Sequence, residues 1–237
     1  MRFSIFVCGL GLAISANASQ LFTNGGLETN GGNGSTTFTG WTTGGTAGSD
    51  DDFYADDTDI TPLNGFPTDG PDSGSWYGVS DMTGLVAPES SYLVQTVTIP
   101  VGTIDDLFTA DIFVDDQFGA SGLGGELAIW ASGVNPLTTA PLYVIYSADT
   151  TVDGGSPNPY VAVSQDITAQ VTAGTTYQIG VFESDSTGPI NVGVDNFSLV
   201  ATPGATTTPE PGMLLPTVLL ALGVIVYRAR RKVAAQV

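Results

Sequence analysis

"INVGVDNFSLV", residues 190–200, carries two apolar faces that disagree. Side chains of an extended chain alternate with a period of two, so Val192 and Val194 share one face while Phe197 and Leu199 fall on the other. One extra residue at Asp195-Asn196, a β-bulge, returns all four to a single face. The segment is therefore expected to be a buried strand bent at its middle, with Asp195 at the bend.

The same alternation recurs upstream, between clusters of Gly, Pro and Asp. "YLVQTVTI" (92–99) puts Leu93, Val97 and Ile99 on one face, and "LFTADIFVD" (107–115) groups Phe108, Ala110, Ile112 and Val114. "ELAIWAS", "LYVIYSA", "YVAVSQDI" and "TTYQIGVFES" continue the series. No stretch between them has the periodicity of an amphipathic helix. Short strands at this spacing predict a single all-β domain over residues 19–200, a sandwich or barrel.

Charge narrows the function. The chain of 237 residues has five basic residues and no histidine. Arg2 stands at one end and Arg228, Arg230, Arg231 and Lys232 at the other, so nothing between Phe3 and Tyr227 is cationic. Of the 24 acids, 23 lie between Ser19 and Thr208. Such a polyanion repels nucleic acid and anionic lipid. Without histidine or lysine in the domain, histidine-dependent triads, zinc hydrolases and Schiff-base enzymes are excluded. A carboxylate-pair glycosidase is the one catalytic class left, and so many acids supply accidental pairs that no enzyme is expected. The acidic stretch "SDDDFYADDTDITPLNGFPTDGPDSG" (49–74) lacks the alternating ligands, central Gly and terminal Glu of an EF-hand, as do Asp105-Asp106 and Asp115-Asp116. A solvated acidic loop is the expectation.

Both ends carry processing signals. "MRFSIFVCGLGLAISANAS" has an apolar core behind Arg2 and the small-residue pattern Ala16-Asn17-Ala18, a secretory signal over 1–18. Acylation at Cys8 is the alternative, but Cys8 sits inside the apolar run. Cleavage after Ala18 removes the chain's one cysteine, and with it any disulfide or thiolate metal site. Residues 201–208, "ATPGATTT", read as a linker. Beyond it the apolar run 213–227 is fifteen residues long and interrupted by Pro216, short for a spanning helix that needs about 20. The following arginines and lysine hold it on the cytoplasmic side, and a transient membrane anchor fits the shortness.

Pro209-Glu210-Pro211-Gly212, the apolar run, and Arg228, Arg230, Arg231 and Lys232 together resemble the PEP-CTERM sorting signal of Gram-negative bacteria. The resemblance covers residues 209–237 and implies processing by an exosortase-type membrane enzyme. It implies anchoring in the inner membrane beforehand and release to the cell surface or medium, in a setting of exopolysaccharide and biofilm. The trailing "VAAQV" is longer than many such tails carry.

The domain has a resemblance of its own. "NGGLE" (24–28), Gly40-Trp41 and "VDNFSL" (194–199) are similar to the opening and closing segments of galactose-binding-like jelly rolls in carbohydrate-binding modules. "SGSWYGVS" and "YLVQTVTIP" resemble further strands of that family. The resemblance implies a jelly-roll β-sandwich and a structural calcium held by Glu28 and Asp195 with backbone carbonyls; exposed, solvated acids are the alternative. Trp76, Tyr77 and Trp130 are the candidate faces for stacking on sugar rings. Trp130 falls on the polar parity of its strand, with core packing as the alternative, whereas Trp41 is expected in the core. The expected protein is an exported surface or matrix protein with a possible carbohydrate-binding sandwich. A purely structural envelope or biofilm protein is the rival.

Overall fold

A computed structural model of the chain describes residues 17–46, 52–59, 65, 67–82, 89–116, 121–148, 158–187 and 189–204. All of them but Gly204 belong to one compact unit, Asn17–Pro203. Residues 1–16 of the secretory segment and the tail beyond residue 204, including the helix expected at 213–227, lie outside the described residues.

The described elements are strands: β1 (Ser19–Gln20), β2 (Thr42–Gly45), β3 (Tyr54–Asp56), β4 (Tyr77–Met82), β5 (Glu89–Thr98), β6 (Thr103–Asp116), β7 (Ser121–Ala131), β8 (Tyr143–Ala148), β9 (Val161–Asp166), β10 (Thr176–Thr187) and β11 (Ile190–Pro203). They form two antiparallel sheets. One runs β3-β4-β11-β6-β9, with β1 added on β11, and the other runs β2-β5-β10-β7-β8. The fold is an all-β, two-sheet sandwich, as the alternation predicts.

The inner faces supply the core. Leu93, Val97 and Ile99 from β5 meet Phe108, Ala110, Ile112 and Val114 from β6, with Leu127 and Ile129 from β7 and Ile179 and Val181 from β10. Val192, Val194, Phe197 and Leu199 all join this one cluster. They do so because the β11–β6 register slips between Asp195 and Ser198, where Asn196 takes a left-handed φ of 54°. That conformation suits Asn better than a β-branched residue. Phe197 then reaches a ring cluster with Phe22, Trp41 and Phe108, its centroid 4.7 Å from that of Trp41. Trp41 is core as expected, and its Nε1 donates to the carbonyls of Thr23 and Asn24 at 3.1 Å each.

Two smaller clusters cover the outer faces. Tyr54, Tyr77, Val79 and Phe113 pack outside the first sheet with Tyr160, and Val94, Ala128 and Trp130 pack outside the second with Tyr92, Val134 and Phe182. Side chains that strand parity turns away from the inner core are thereby enclosed all the same.

Candidate functional site

The bulge of β11 meets the chain entering the sandwich. Leu21 N–H donates to Leu199 O at 2.8 Å, and Phe197 N–H donates to Gly25 O at 2.9 Å. A Cβ on Gly25 would lie 1.9 Å from Phe197 O, so this crossing needs glycine. It brings Glu28 beside the turn that precedes β4. Glu28 Oε1 accepts the amides of Ser75 and Trp76 at 2.8 and 3.1 Å. Asp195, fully buried, accepts Ser73 N–H at 3.0 Å on Oδ2 and Asn196 N–H at 2.6 Å on Oδ1.

Further acids gather around the bulge. Asn196 Nδ2 bridges Asp72 Oδ2 at 2.8 Å and Asp111 Oδ2 at 3.0 Å, and its Oδ1 accepts Ser73 Oγ–H at 2.6 Å. Burial, reinforced by the charges of Asp72 and Glu28, pushes the Asp195 carboxyl up to about 7 against the pull of its two amide bonds. Burial and Asp72 raise Asp111 as well. Glu28 and Asp195 are thus drawn to one turn, with oxygen chemistry suited to a hard cation. Among the described residues, however, no three acidic side chains stand close enough to hold a metal by themselves. A calcium here needs backbone oxygens to complete its shell.

The aromatic candidates require correction. Tyr77 is fully buried, because Tyr54, Phe113 and Tyr160 pack with it on the outer face of the first sheet. Its hydroxyl sits 2.8 Å from Thr68 Oγ1 and within 3.3 Å of Asp56 Oδ2 and Thr58 O, and burial raises its pKa far above the ordinary phenol range. Trp130 does point away from the inner core, as parity predicts. Yet it is only 1% exposed, since the connection from β7 to β8 closes over it and Thr139 O takes its Nε1–H at 3.1 Å. Neither ring can meet a sugar. Trp76 is half-buried against the core, its backbone amide committed to Glu28. The sorting residues Pro209 to Gly212 and Arg228 to Lys232 lie outside the described residues.

An open cleft lies where the two sheets part. β9 pairs with β6 only as far as Val161 opposite Ile112, so β6 runs on from Phe113 to Asp116 without it. The chain entering β9 covers part of this edge. Asn158 donates its Nδ2–H to Val114 O at 2.8 Å and its backbone N–H to Asp115 Oδ1. On the opposite sheet, β8 slips register between Leu127 and Ala128, which pair with Tyr146 and Val144 and leave Ile145 as the extra residue. Ile145 and Tyr146 consequently both turn inward against the core. Between the two edges is a cleft of about 270 Å³, lined by Ile112, Val114, Tyr146, Ala148, Asn158 and Val161 with Phe113 and Pro159 beside them. Sequence reasoning missed Tyr146. The signal was the spacing of Tyr143 and Tyr146, two aromatics three apart that cannot share a face of a regular strand.

No protein-family model matches the chain, and no curated protein matches it in sequence. Solved structures show a distant likeness to it. The carbohydrate-binding module TmCBM61, solved with β-1,4-galactotriose, is 16% identical over 76% of this chain and 97% of its own, with a TM-score of 0.43. A cleaved adhesin domain of Lys-gingipain is 16% identical over 78% of this chain and 99% of its own, with a TM-score of 0.44. A Stig cyclase from Fischerella sp. TAU is 14% identical over 79% and 100%, with a TM-score of 0.49. The likeness is distant and one of β-sandwich architecture.

Proposed function

We propose that this chain is an exported, non-catalytic surface or matrix protein of a Gram-negative bacterium, whose jelly-roll domain binds carbohydrate in the cleft between β8 and β9. One observation carries the reading: the β8 bulge aims an aromatic side chain, Tyr146, into an open, partly apolar cleft whose rim carries the Asn158 carboxamide. An aromatic face and a few convergent polar groups are what sugar recognition requires. The export signals supply the location. An exosortase-type enzyme processes the tail, releasing the domain from the inner membrane toward exopolysaccharide at the surface. Glu28 and Asp195 hold a structural calcium that ties the first and last strands together; when bound, the ion supplies positive charge to a domain with none.

The purely structural reading is favoured by a different observation, the burial of Tyr77 and Trp130, which withdraws two of three expected sugar-stacking faces. A polysaccharide-binding panel separates the two. Retention of the mature protein that is lost in Tyr146→Ala and kept in Trp130→Phe supports the binding function; no retention on any polysaccharide supports the structural one. Release of reducing sugar would instead revive the glycosidase. For the tail, Glu210→Ala or deletion of Arg228 to Lys232 is expected to leave uncut protein in the membrane fraction. Unchanged secretion and mass in both variants would remove the sorting reading.

A further inference from the structure

The turn from β5 to β6 holds aliphatic side chains out in solvent. Thr103 N–H closes on Pro100 O at 3.3 Å, Thr103 Oγ1 donates to the same carbonyl at 2.9 Å, and Gly102 takes a φ of +86°. A four-residue turn with glycine in its third position leaves the second, here Val101, at the tip. Val101 is 87% exposed and Ile104 63%, the two highest values for a large hydrophobic side chain among the described residues, and Leu107 is also exposed. A single exposed aliphatic is ordinary, but three within one hairpin form a patch. Both ends of the domain lie beside it: Thr103 pairs with Pro203, and Ser19 pairs with Ala201. The apolar run read as the tail's anchor begins at Met213, after the nine residues 204–212, a reach of about 35 Å at full extension. Asp105 and Asp166 are exposed next to Ile104 and Leu107 and give the patch an acidic rim.

We infer that this tip is a lipid-contacting surface: while the tail is uncut, Val101 and Ile104, flanked by Leu107, rest in the interface of a zwitterionic bilayer. The inference rests on the membrane-anchored precursor of the function proposed above. Buried apolar area holds a protein in that interface, and lipid charge adds to or subtracts from it. Three aliphatic side chains are too few to bind a bilayer from solution. A short tether changes that, because it makes docking an intramolecular event at high effective concentration. Charge selects the lipid. Asp105, Asp166 and the rest of a domain without cations repel anionic headgroups, whereas a zwitterionic headgroup presents no net charge and its ammonium suits the acidic rim. The same charge disfavours a second copy, since two acidic rims would face each other. Cutting the tail removes the tether, and the tip alone then no longer retains the domain, as release requires.

Methyl NMR of the chain from Ser19 onward, tail uncut, tests this in nanodiscs of phosphatidylcholine and phosphatidylethanolamine that carry a nitroxide-labelled lipid. The methyl signals of Val101 and Ile104 are expected to broaden. Those of Val161, which pairs with Ile112 eight residues further along β6 than Ile104, are expected to stay sharp. Ile104→Asp, at an exposed position, is expected to abolish the broadening at Val101, and added phosphatidylglycerol to weaken it severalfold. Broadening at Val101 that survives unchanged in Ile104→Asp would come from the tether alone and overturn the inference, as would equal broadening at Val161. A chain held in the discs with Val101 and Ile104 sharp would overturn it and leave the anchor standing. A chain that does not join the discs would overturn both. Shifts of these methyls that follow protein concentration, without broadening by the labelled lipid, would assign the tip to a second copy and overturn the lipid contact.

Discussion

The carboxylate of Glu28 rests directly on Gly74: a Cβ at residue 74 would lie 2.0 Å from Glu28 Oε1. Gly74 also has a φ of +68°, in the left-handed region that costs an L side chain energy. The turn is thus shaped to receive an acid, and the two amides after the glycine complete the cradle.

Gly74→Ala is expected to lose both features, destabilising the domain by about 1–3 kcal/mol. Chemical unfolding of the mature protein measures it. A change within error would mean that the Glu28 contact is incidental.

Stability is expected to fall as pH rises from about 4 to about 7. The folded Asp195 carboxyl titrates near 7 against an ordinary 3.8, so in that interval the folded state holds a proton that the unfolded chain has released. The resulting stabilisation is complete below the unfolded value and gone once pH passes the folded one. Asp56, Asp106 and Asp111, all raised chiefly by burial, act in the same direction. Asp166, lowered by its bonds from Thr168, acts oppositely but is fully exposed. In calcium-free buffer, melting at pH 5 should exceed that at pH 7.5, and Asp195→Asn should flatten the difference. A melt that rises with pH, or an unchanged profile in the variant, would contradict this.

Calcium is expected to raise the melting temperature of the wild type at neutral pH beyond sodium chloride at matched ionic strength. An ion that binds only the folded state stabilises it by about 2.7 kcal/mol at a hundredfold excess over Kd. Glu28→Gln and Asp195→Asn should lose the calcium-specific part, and a chelator should reverse it. Equal shifts in wild type and variants would place the ion elsewhere or nowhere.

Trp130→Ala is expected to cost about 3–5 kcal/mol, the penalty for emptying a site closed by Val94, Phe182 and Val134. Trp130→Phe keeps most of that packing but leaves Thr139 O without its donor, at a cost of about 1–3 kcal/mol. Full stability in the alanine variant would mean that the covering loop does not pack as described.

The architecture was legible because strand parity is a local property. The clash between Val192/Val194 and Phe197/Leu199 locates the bulge at Asp195-Asn196, whereas the meeting with Glu28 is implied only by the resemblance of the two end segments to jelly-roll modules. Parity does not report what lies above an outward face. Parity puts Trp130 on its outward face, but the connection 132–141 that closes over it leaves no periodic trace, and neither does the packing of Tyr54, Phe113 and Tyr160 with Tyr77. The cleft was illegible for a related reason. It depends on where β9 stops along β6 and on a slip at Ile145, both set by pairing between strands rather than by either strand alone.

The claim that the β8/β9 cleft binds carbohydrate is tested most directly by amide chemical-shift mapping of the mature protein during titration with an oligomer of the polysaccharide that best retains it. Saturable shifts confined to residues 112–114, 144–148 and 158–161, and abolished in Tyr146→Ala, are the predicted result. Shifts spread over the acidic surface in proportion to ligand, or clustered around the turn at Gly74, would contradict it.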